Sequence, residues 1–142
     1  MSHINIMVHT VWRTKNNLPL INLQTKKILI THIRENAKSK SIHIHALDGY
    51  RDHMHCLISL SKDQQIGKIV QLIKGESSHW LNKHVFMKSV FAWGEDYYAS
   101  SVSPWDVQKV KHYIARQEEH HKRTSYAEEI ERIIRESGFL GG

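Results

Sequence analysis

The spacing of apolar and polar residues along the chain predicts alternating strands and helices. Apolar and β-branched residues that are consecutive or follow a period of two predict strands over residues 4–12, 41–47 and 53–60. Apolar residues three to four positions apart predict amphipathic helices over residues 20–37 and 64–83. The first half of the chain therefore predicts a strand, a helix, two strands and a second helix.

Turn and capping residues place the remaining boundaries. Asp48-Gly49 predicts the turn of a hairpin between the second and third strands. Residues 85–103 mix aromatic and β-branched side chains and predict one or two short strands. The Ser-Pro pair at the start of residues 103–121 predicts a helix over that range. A last helix is predicted over residues 125–135, ended by Gly138.

This order of elements is typical of an α+β fold with a ferredoxin-like antiparallel sheet. The chain has 142 residues, of which 40% are hydrophobic, and residues 1–142 are expected to form a single domain. No apolar run reaches the roughly 18 residues that span a bilayer, and the N-terminus does not resemble a signal peptide. A single cysteine, Cys56, excludes an intramolecular disulfide framework, so a cytoplasmic location without membrane association is expected.

Charge and histidine content narrow the classes of function. The formal net charge is +6, and the chain contains 12 histidines. A small basic domain often binds polyanions, nucleic acid first among them. Histidine is the commonest metal ligand and a frequent acid or base near neutral pH. Neither feature identifies a function alone, because a basic surface also favours solubility.

The most specific local pattern is a pair of histidines in the third predicted strand. His53 and His55 are two residues apart, so a strand places both imidazoles on one face, from which they can bind one metal ion. Alternating histidines also occur on solvent-facing strands, and His43 and His45 repeat the spacing. Cys56 points to the opposite face among apolar residues, which indicates a core position rather than a nucleophile.

A second candidate group lies on the helix predicted after residue 103. Tyr113 and Gln117 are four residues apart and would share one helix face. A tyrosine hydroxyl can act as a nucleophile, and a glutamine carbonyl can bind a hard cation. The ordinary interpretation, a half-buried aromatic residue beside an exposed helix former, stays open on this spacing alone.

Basic residues near these groups are candidates for contacts with DNA phosphates. The candidates are Arg13, Lys15, Arg51, Lys74, Lys109 and Arg116. Aromatic residues interleaved with them can stack on the bases of a single strand. A solvated basic surface over an aromatic core is the alternative interpretation.

Five segments together resemble one family, the HUH-type single-tyrosine transposases of the smallest insertion sequences. The segments are residues 8–15, 49–57, 73–80, 94–103 and 110–121. They contain the His-Met-His sequence of residues 53–55 and the tyrosine and glutamine of residues 113 and 117. They follow the family's order and spacing, and the resemblance covers nearly the whole chain.

The resemblance implies a role for each matching residue. His53, His55 and Gln117 would bind a divalent metal, Mg²⁺ or Mn²⁺, and Tyr113, on a helix near the C-terminus, would be the nucleophile. Family members cut single-stranded DNA near hairpins at the ends of the element, form a 5′-phosphotyrosine link and rejoin strands. They are typically homodimers.

Two other functions remain to be distinguished from this one. The first is a domesticated relative that binds hairpin or single-stranded DNA without transposition activity. Intact Tyr113 and Gln117 count against it, because binding alone needs neither residue. The second is a metal-dependent hydrolase that uses water as its nucleophile and forms no covalent link to DNA.

Overall fold

A four-stranded antiparallel sheet forms the centre of the fold in a computed structural model that describes residues 2–136. The strands are β1 (Ile6–Arg13), β2 (His43–Tyr50), β3 (His53–Leu60) and β4 (Tyr98–Val102). Their order across the sheet is β2-β3-β1-β4, and each neighbouring pair is antiparallel. This order confirms the α+β fold and the ferredoxin-like sheet that the sequence predicts.

Helices cover both faces of the sheet. Within residues 2–136 they are α1 (Leu23–Ser39), α2 (Ile66–His84), α3 (Val107–Ile114), α4 (Gln117–His120) and α5 (Tyr126–Glu136), with 3₁₀ turns at Lys15–Asn17 and Pro104–Asp106. Asn22 caps α1, because its side-chain oxygen accepts a hydrogen bond from the Thr25 amide at 2.8 Å. Ser125 starts α5 as predicted, accepting from the Glu128 amide at 3.2 Å, and the predicted stop at Gly138 lies outside the described residues. None of these helices combines the length and apolarity needed to cross a membrane.

The two faces of the sheet have different chemistry. One face packs against α1 and α2 and forms the main hydrophobic core, which includes Trp12, Met54 and Cys56. Cys56 is fully buried there, and burial raises the pKa of its thiol, in agreement with the predicted core role. The other face carries a smaller apolar cluster, which includes Leu57 and Ile114, and it also carries the paired histidines of β3. The predicted alternation along β3 is therefore confirmed.

The turn predicted at Asp48-Gly49 is wrong. Both residues belong to β2, and the turn lies at residues 51–52. Gly49 pairs with Met54, and a Cβ atom at Gly49 would overlap the Met54 sulfur and the His53 carbonyl oxygen. The glycine therefore serves a close approach of two strands rather than a turn.

The single helix predicted over residues 103–121 is also wrong. A 3₁₀ turn is followed by two short helices, and Arg116, between α3 and α4, has φ −115° and ψ 30°. The reason for the break is a tertiary contact: the backbone amide of Gln117 donates to Asp48 Oδ2 at 3.3 Å. The Tyr113 carbonyl oxygen accepts instead from the side-chain amide of Gln117, also at 3.3 Å. Tyr113 and Gln117 therefore stay close, although they lie on different helices.

Candidate active site

Strand β3 places two imidazoles under the C-terminal helices. His53 and His55 are both fully buried, and their ring centroids are 5.2 Å apart. β3 lies between β1 and β2, so the backbone that carries both residues is paired on both sides. This is a rigid base for a site that depends on the relative position of two side chains.

Hydrogen bonds on the outer nitrogens fix the orientation of both rings. His53 Nδ1 donates to Asp52 Oδ1 at 2.7 Å, and His55 Nδ1 lies 2.8 Å from His9 Nε2. The Nε2 atoms of both rings therefore face the interior of the site. Metal-binding imidazoles commonly have such a partner on the nitrogen that does not bind metal.

The predicted nucleophile and glutamine are brought to the same place within one chain. The Tyr113 ring lies 5.8 Å from the His55 ring, centroid to centroid. Gln117 is fully buried, with its Oε1 atom 3.4 Å from His53 Nε2. The structure thus joins all four residues that sequence reasoning proposed for metal binding and nucleophilic attack.

Glu129 on α5 stands at the centre of the site and was missed by sequence reasoning. Its Oε1 atom lies 3.1 Å from His53 Nε2, 3.0 Å from His55 Nε2 and 3.0 Å from His121 Nε2. Its Oε2 atom accepts a short hydrogen bond from the Tyr113 hydroxyl. His53, His55, His121 and Glu129 are all buried, and their ligand atoms lie within 4.8 Å of one another.

Sequence signals for the missed residues are unequal. Glu129 lies three residues after Tyr126 and four before Ile133, so it occupies the inward stripe of an amphipathic helix, where a carboxylate is unusual. That position could have been noticed. His9 and Asp52 have no such signal, because their roles depend on contacts that only the folded sheet creates.

Burial and the two flanking carboxylates give the imidazoles of β3 opposite pKa shifts. Burial lowers the pKa of His53, but Asp52 and Glu129 together outweigh it, so the net shift is upward. Burial dominates at His55 and lowers its pKa despite Glu129. Burial and the neighbouring His55 also lower the pKa of His9, to about 3. The outer partner of His55 is therefore a neutral imidazole at pH 7.

The carboxylate and the phenol also differ in charge. Burial raises the pKa of Glu129, but hydrogen bonds from His121, His53 and His55 outweigh it and hold the pKa well below its usual range. Burial and the hydrogen bond to Glu129 raise the pKa of Tyr113 above its usual range. The site therefore holds an anionic carboxylate beside a protonated phenol.

A basic groove leads to Tyr113 from outside. The groove has a volume of about 690 Å³, and its basic lining residues are Lys109, Arg116, Lys122, Arg123 and Arg132. Two of the six predicted DNA-contact residues, Lys109 and Arg116, line it beside Tyr113. Arg116 also pairs with Glu119 at 2.9 Å, while Lys109 is exposed. The groove therefore places positive charge beside Tyr113, the predicted nucleophile.

The other four predicted DNA-contact residues lie elsewhere. The Arg13 guanidinium pairs with the Asp96 carboxylate at 3.2 Å, and Lys74 Nζ donates to the Asp96 carbonyl oxygen at 3.2 Å. Arg51 is exposed with its guanidinium 5.5 Å from the Tyr50 ring centroid, and Lys15 is exposed after β1. None of the four lines the groove beside Tyr113.

A family model gives the site its context. The model described as "Transposase IS200 like" matches residues 2–117, which include His53, His55, Tyr113 and Gln117. The chain belongs to this family. An IS200-like transposase is a DNA-processing enzyme, and the broad function of the chain is that of a transposase. No curated protein matches the chain.

Solved structures share the fold of this IS200-like transposase. A crystal structure of a candidate transposase from Deinococcus radiodurans R1 has a TM-score of 0.62 and 21% sequence identity, covering 82% of this chain and 93% of that one. A REP-associated tyrosine transposase bound to a REP hairpin has a TM-score of 0.61 and 17% identity, covering 82% of this chain and 68% of that one. At these identities the likeness concerns the fold.

Proposed function

We propose that this transposase nicks and rejoins single-stranded DNA at hairpin-bearing element ends through a covalent 5′-phosphotyrosine intermediate on Tyr113. The observation that carries the proposal is the position of the phenol, whose ring lies 5.8 Å from that of His55 in the same chain. A tyrosine placed beside two buried, oriented imidazoles is arranged for phosphoryl transfer rather than for packing alone.

The residues of the site fit a divalent metal ion. His53 and His55 would bind it through Nε2 and Gln117 through its amide oxygen, and these atoms already face one another. Mixed nitrogen and oxygen donors are compatible with Mn²⁺, and a phosphate substrate is the usual partner of Mg²⁺ or Mn²⁺. When bound, the ion neutralises charge on the phosphate and on the departing oxygen.

The reaction exchanges one phosphodiester for another. The Tyr113 oxygen attacks phosphorus, a bond between phosphorus and the Tyr113 oxygen forms, and the bond from phosphorus to the 3′ oxygen breaks. The Tyr113 hydroxyl gives up its proton to solvent, and the 3′ oxygen takes up a proton from solvent to become a hydroxyl. The reverse sequence, with a different 3′ hydroxyl, rejoins the strand without an external energy source.

The basic groove supports a nucleic-acid substrate. Lys109 and Arg132 line the groove next to Tyr113 and can neutralise phosphates that flank the scissile one. The REP-associated neighbour, which shares the fold, is bound to a DNA hairpin, and this supports hairpin DNA as the substrate class here. We further propose that the protein acts as a homodimer, as the resemblance implies.

A covalent-adduct assay tests the proposal. Wild-type protein incubated with a single-stranded hairpin end and Mn²⁺ should give a slowly migrating protein–DNA species. Tyr113→Phe should abolish this species while DNA binding is retained. Tyr126→Phe is the sharpest control, because the Tyr126 ring lies 4.9 Å from that of His53 and is the nearest competing phenol among the aromatic contacts of β3.

Each other outcome identifies a different function. An adduct that survives Tyr113→Phe but is lost in Tyr126→Phe, Tyr97→Phe or Tyr98→Phe would move the nucleophile to another tyrosine. Cleavage without an adduct would indicate a hydrolase that uses water. Binding of hairpin DNA without cleavage or adduct would indicate a domesticated DNA-binding protein.

A further inference from the structure

The metal site implied by the family leaves one buried charge without a role. The family model ends at residue 117, so Glu129 lies beyond the matched region. Its side chain is fully buried among imidazoles. A carboxylate is almost never fully buried unless it is paired or binds a cation.

Three imidazole nitrogens converge on Glu129 Oε1: the Nε2 atoms of His53, His55 and His121 lie 3.0–3.1 Å from it. His53 Nδ1 faces the Asp52 carboxylate, and His121 Nδ1 faces the Thr124 carbonyl oxygen, so each Nδ1 must carry a hydrogen atom. Both rings therefore present Nε2, the nitrogen free to bind a metal ion, to Glu129 Oε1. The ligand atoms of His53, His55, His121 and Glu129 are buried and lie within 4.8 Å of one another, and imidazole nitrogens with a carboxylate oxygen are donors that suit a divalent ion.

The spacing of these atoms matches the ligands of Mg²⁺ or Mn²⁺. Adjacent ligands of an octahedral ion with bonds of about 2.1 Å lie about 3.0 Å apart. Glu129 Oε1 is 3.0 Å from His55 Nε2 and 3.1 Å from His53 Nε2. The second oxygen of the same carboxylate accepts the Tyr113 hydroxyl hydrogen bond, so one side chain contacts both the ligand set and the nucleophile.

We propose that Glu129 is a ligand of the divalent ion through Oε1 and that it positions the Tyr113 hydroxyl beside that ion through Oε2. This inference rests on the proposed function, because it assumes that the ion is bound between His53 and His55. It adds a ligand from α5 to the set that lies within residues 2–117. Four protein ligands still leave two of the six positions of an octahedral ion for a DNA phosphate or water.

Calorimetric titration of the full chain with Mn²⁺ tests the ligand role. Glu129→Gln keeps the size of the side chain but removes its charge, and it should weaken Mn²⁺ binding by about tenfold or more. Glu131→Gln makes the same chemical change at an exposed position of the same helix and should leave Mn²⁺ affinity within about twofold of wild type. If Glu129→Gln binds Mn²⁺ as tightly as Glu131→Gln and wild type, the proposal is overturned.

The positioning role has a separate measurement. At saturating Mn²⁺, Glu129→Gln should form the Tyr113–DNA adduct at least about tenfold more slowly than wild type, because a neutral amide replaces the charged acceptor that holds the hydroxyl. A wild-type rate at saturating Mn²⁺ would refute positioning. Tyr113→Phe should still bind Mn²⁺ although it forms no adduct, because the phenol is not proposed as a ligand.

Two further measurements separate this inference from the proposed function. If His53→Ala abolishes Mn²⁺ binding and Glu129→Gln does not weaken it, the metal-dependent mechanism stands and the Glu129 role fails. If wild-type protein binds neither Mn²⁺ nor Mg²⁺, both fail. Should Glu129→Gln not fold, a crystal of wild-type protein soaked in Mn²⁺ decides: an anomalous peak in contact with Glu129 supports the role, and a peak on His53 and His55 away from Glu129 overturns it.

Discussion

If His53 binds a metal ion as proposed, Asp52 is its hydrogen-bond partner, and removal of Asp52 should weaken metal binding without removing a ligand. The Asp52 carboxylate accepts from His53 Nδ1 at 2.7 Å, which keeps the proton on that nitrogen and frees Nε2 for the ion. This contact, through the hydrogen bond from His53, also holds the pKa of Asp52 below its usual range although burial acts in the opposite direction. Loss of such a partner costs about 10- to 100-fold in metal affinity, or about 1.4–2.7 kcal/mol.

The structure predicts different losses of metal affinity for two substitutions of Asp52. The Asp52 side chain is 23% exposed, so solvent screens part of its charge. Asp52→Asn keeps an oxygen that can accept from His53 and should weaken Mn²⁺ binding about tenfold. Asp52→Ala removes the acceptor and should approach the 100-fold limit. Neither change removes the Asp52 carbonyl oxygen that accepts from the Thr14 amide at 2.8 Å, so the turn should persist.

Calorimetric titration with Mn²⁺ gives the affinities, and urea unfolding in EDTA checks that the variants are folded. Asp63→Asn, at an exposed position in the loop after β3, is the control and should bind Mn²⁺ like wild type. Wild-type affinity in Asp52→Ala would refute the reasoning, since it would mean that His53 does not bind the ion or needs no partner to do so.

Two further predictions concern the fold and the groove. Gly49→Ala should destabilise the protein by about 1–3 kcal/mol in urea unfolding, because the new methyl group meets the Met54 sulfur and the His53 carbonyl oxygen. Gly75→Ala lies inside α2, where the new methyl group meets no atom within 4 Å beyond its chain neighbours and the nearby helix backbone, and it should stabilise the protein by about 0.5–1 kcal/mol; a loss there would contradict the packing argument. Lys109→Ala and Arg132→Ala should each reduce the salt dependence of single-stranded DNA binding by about 0.7 in the slope of log K against log salt, measured by fluorescence anisotropy. Lys62→Ala, outside the groove, should keep the wild-type slope. If Lys109→Ala and Arg132→Ala also keep the wild-type slope, the groove is not the binding surface.

Periodicity predicted the parts of the fold that one strand or helix determines by itself. His53 and His55 share a face because alternate side chains of any strand do, and this held in β3. Asp48-Gly49 misled the prediction because its local turn preference is outweighed by pairing with β3, where Gly49 is needed for close approach. The break at Arg116 was invisible for a related reason: it depends on the Asp48 carboxylate, which is distant in sequence.

In the candidate site, too, residues with a local sequence signal were predicted and a residue that depends on long-range contacts was not. Tyr113, Gln117 and the two β3 histidines were proposed from local spacing and a family resemblance, and their metal-binding and nucleophilic roles await experiment. Glu129 contacts His55, which is 74 residues away in the sequence, and periodicity within a short segment cannot predict such a contact. The Glu129 side chain could have been noticed only as a carboxylate on the inward stripe of α5.

The candidate site depends on α5, because Glu129 of this helix supplies the buried negative charge among the imidazoles. A chain whose translation stopped at Arg123 would contain the complete sheet, both β3 histidines, His121 and Tyr113. It would lack the buried carboxylate that now lies between three imidazole nitrogens. Such a shortened chain would keep His53, His55, Tyr113 and Gln117 and lose the carboxylate of the candidate site, so these motif residues alone would not distinguish the shortened chain from the full one.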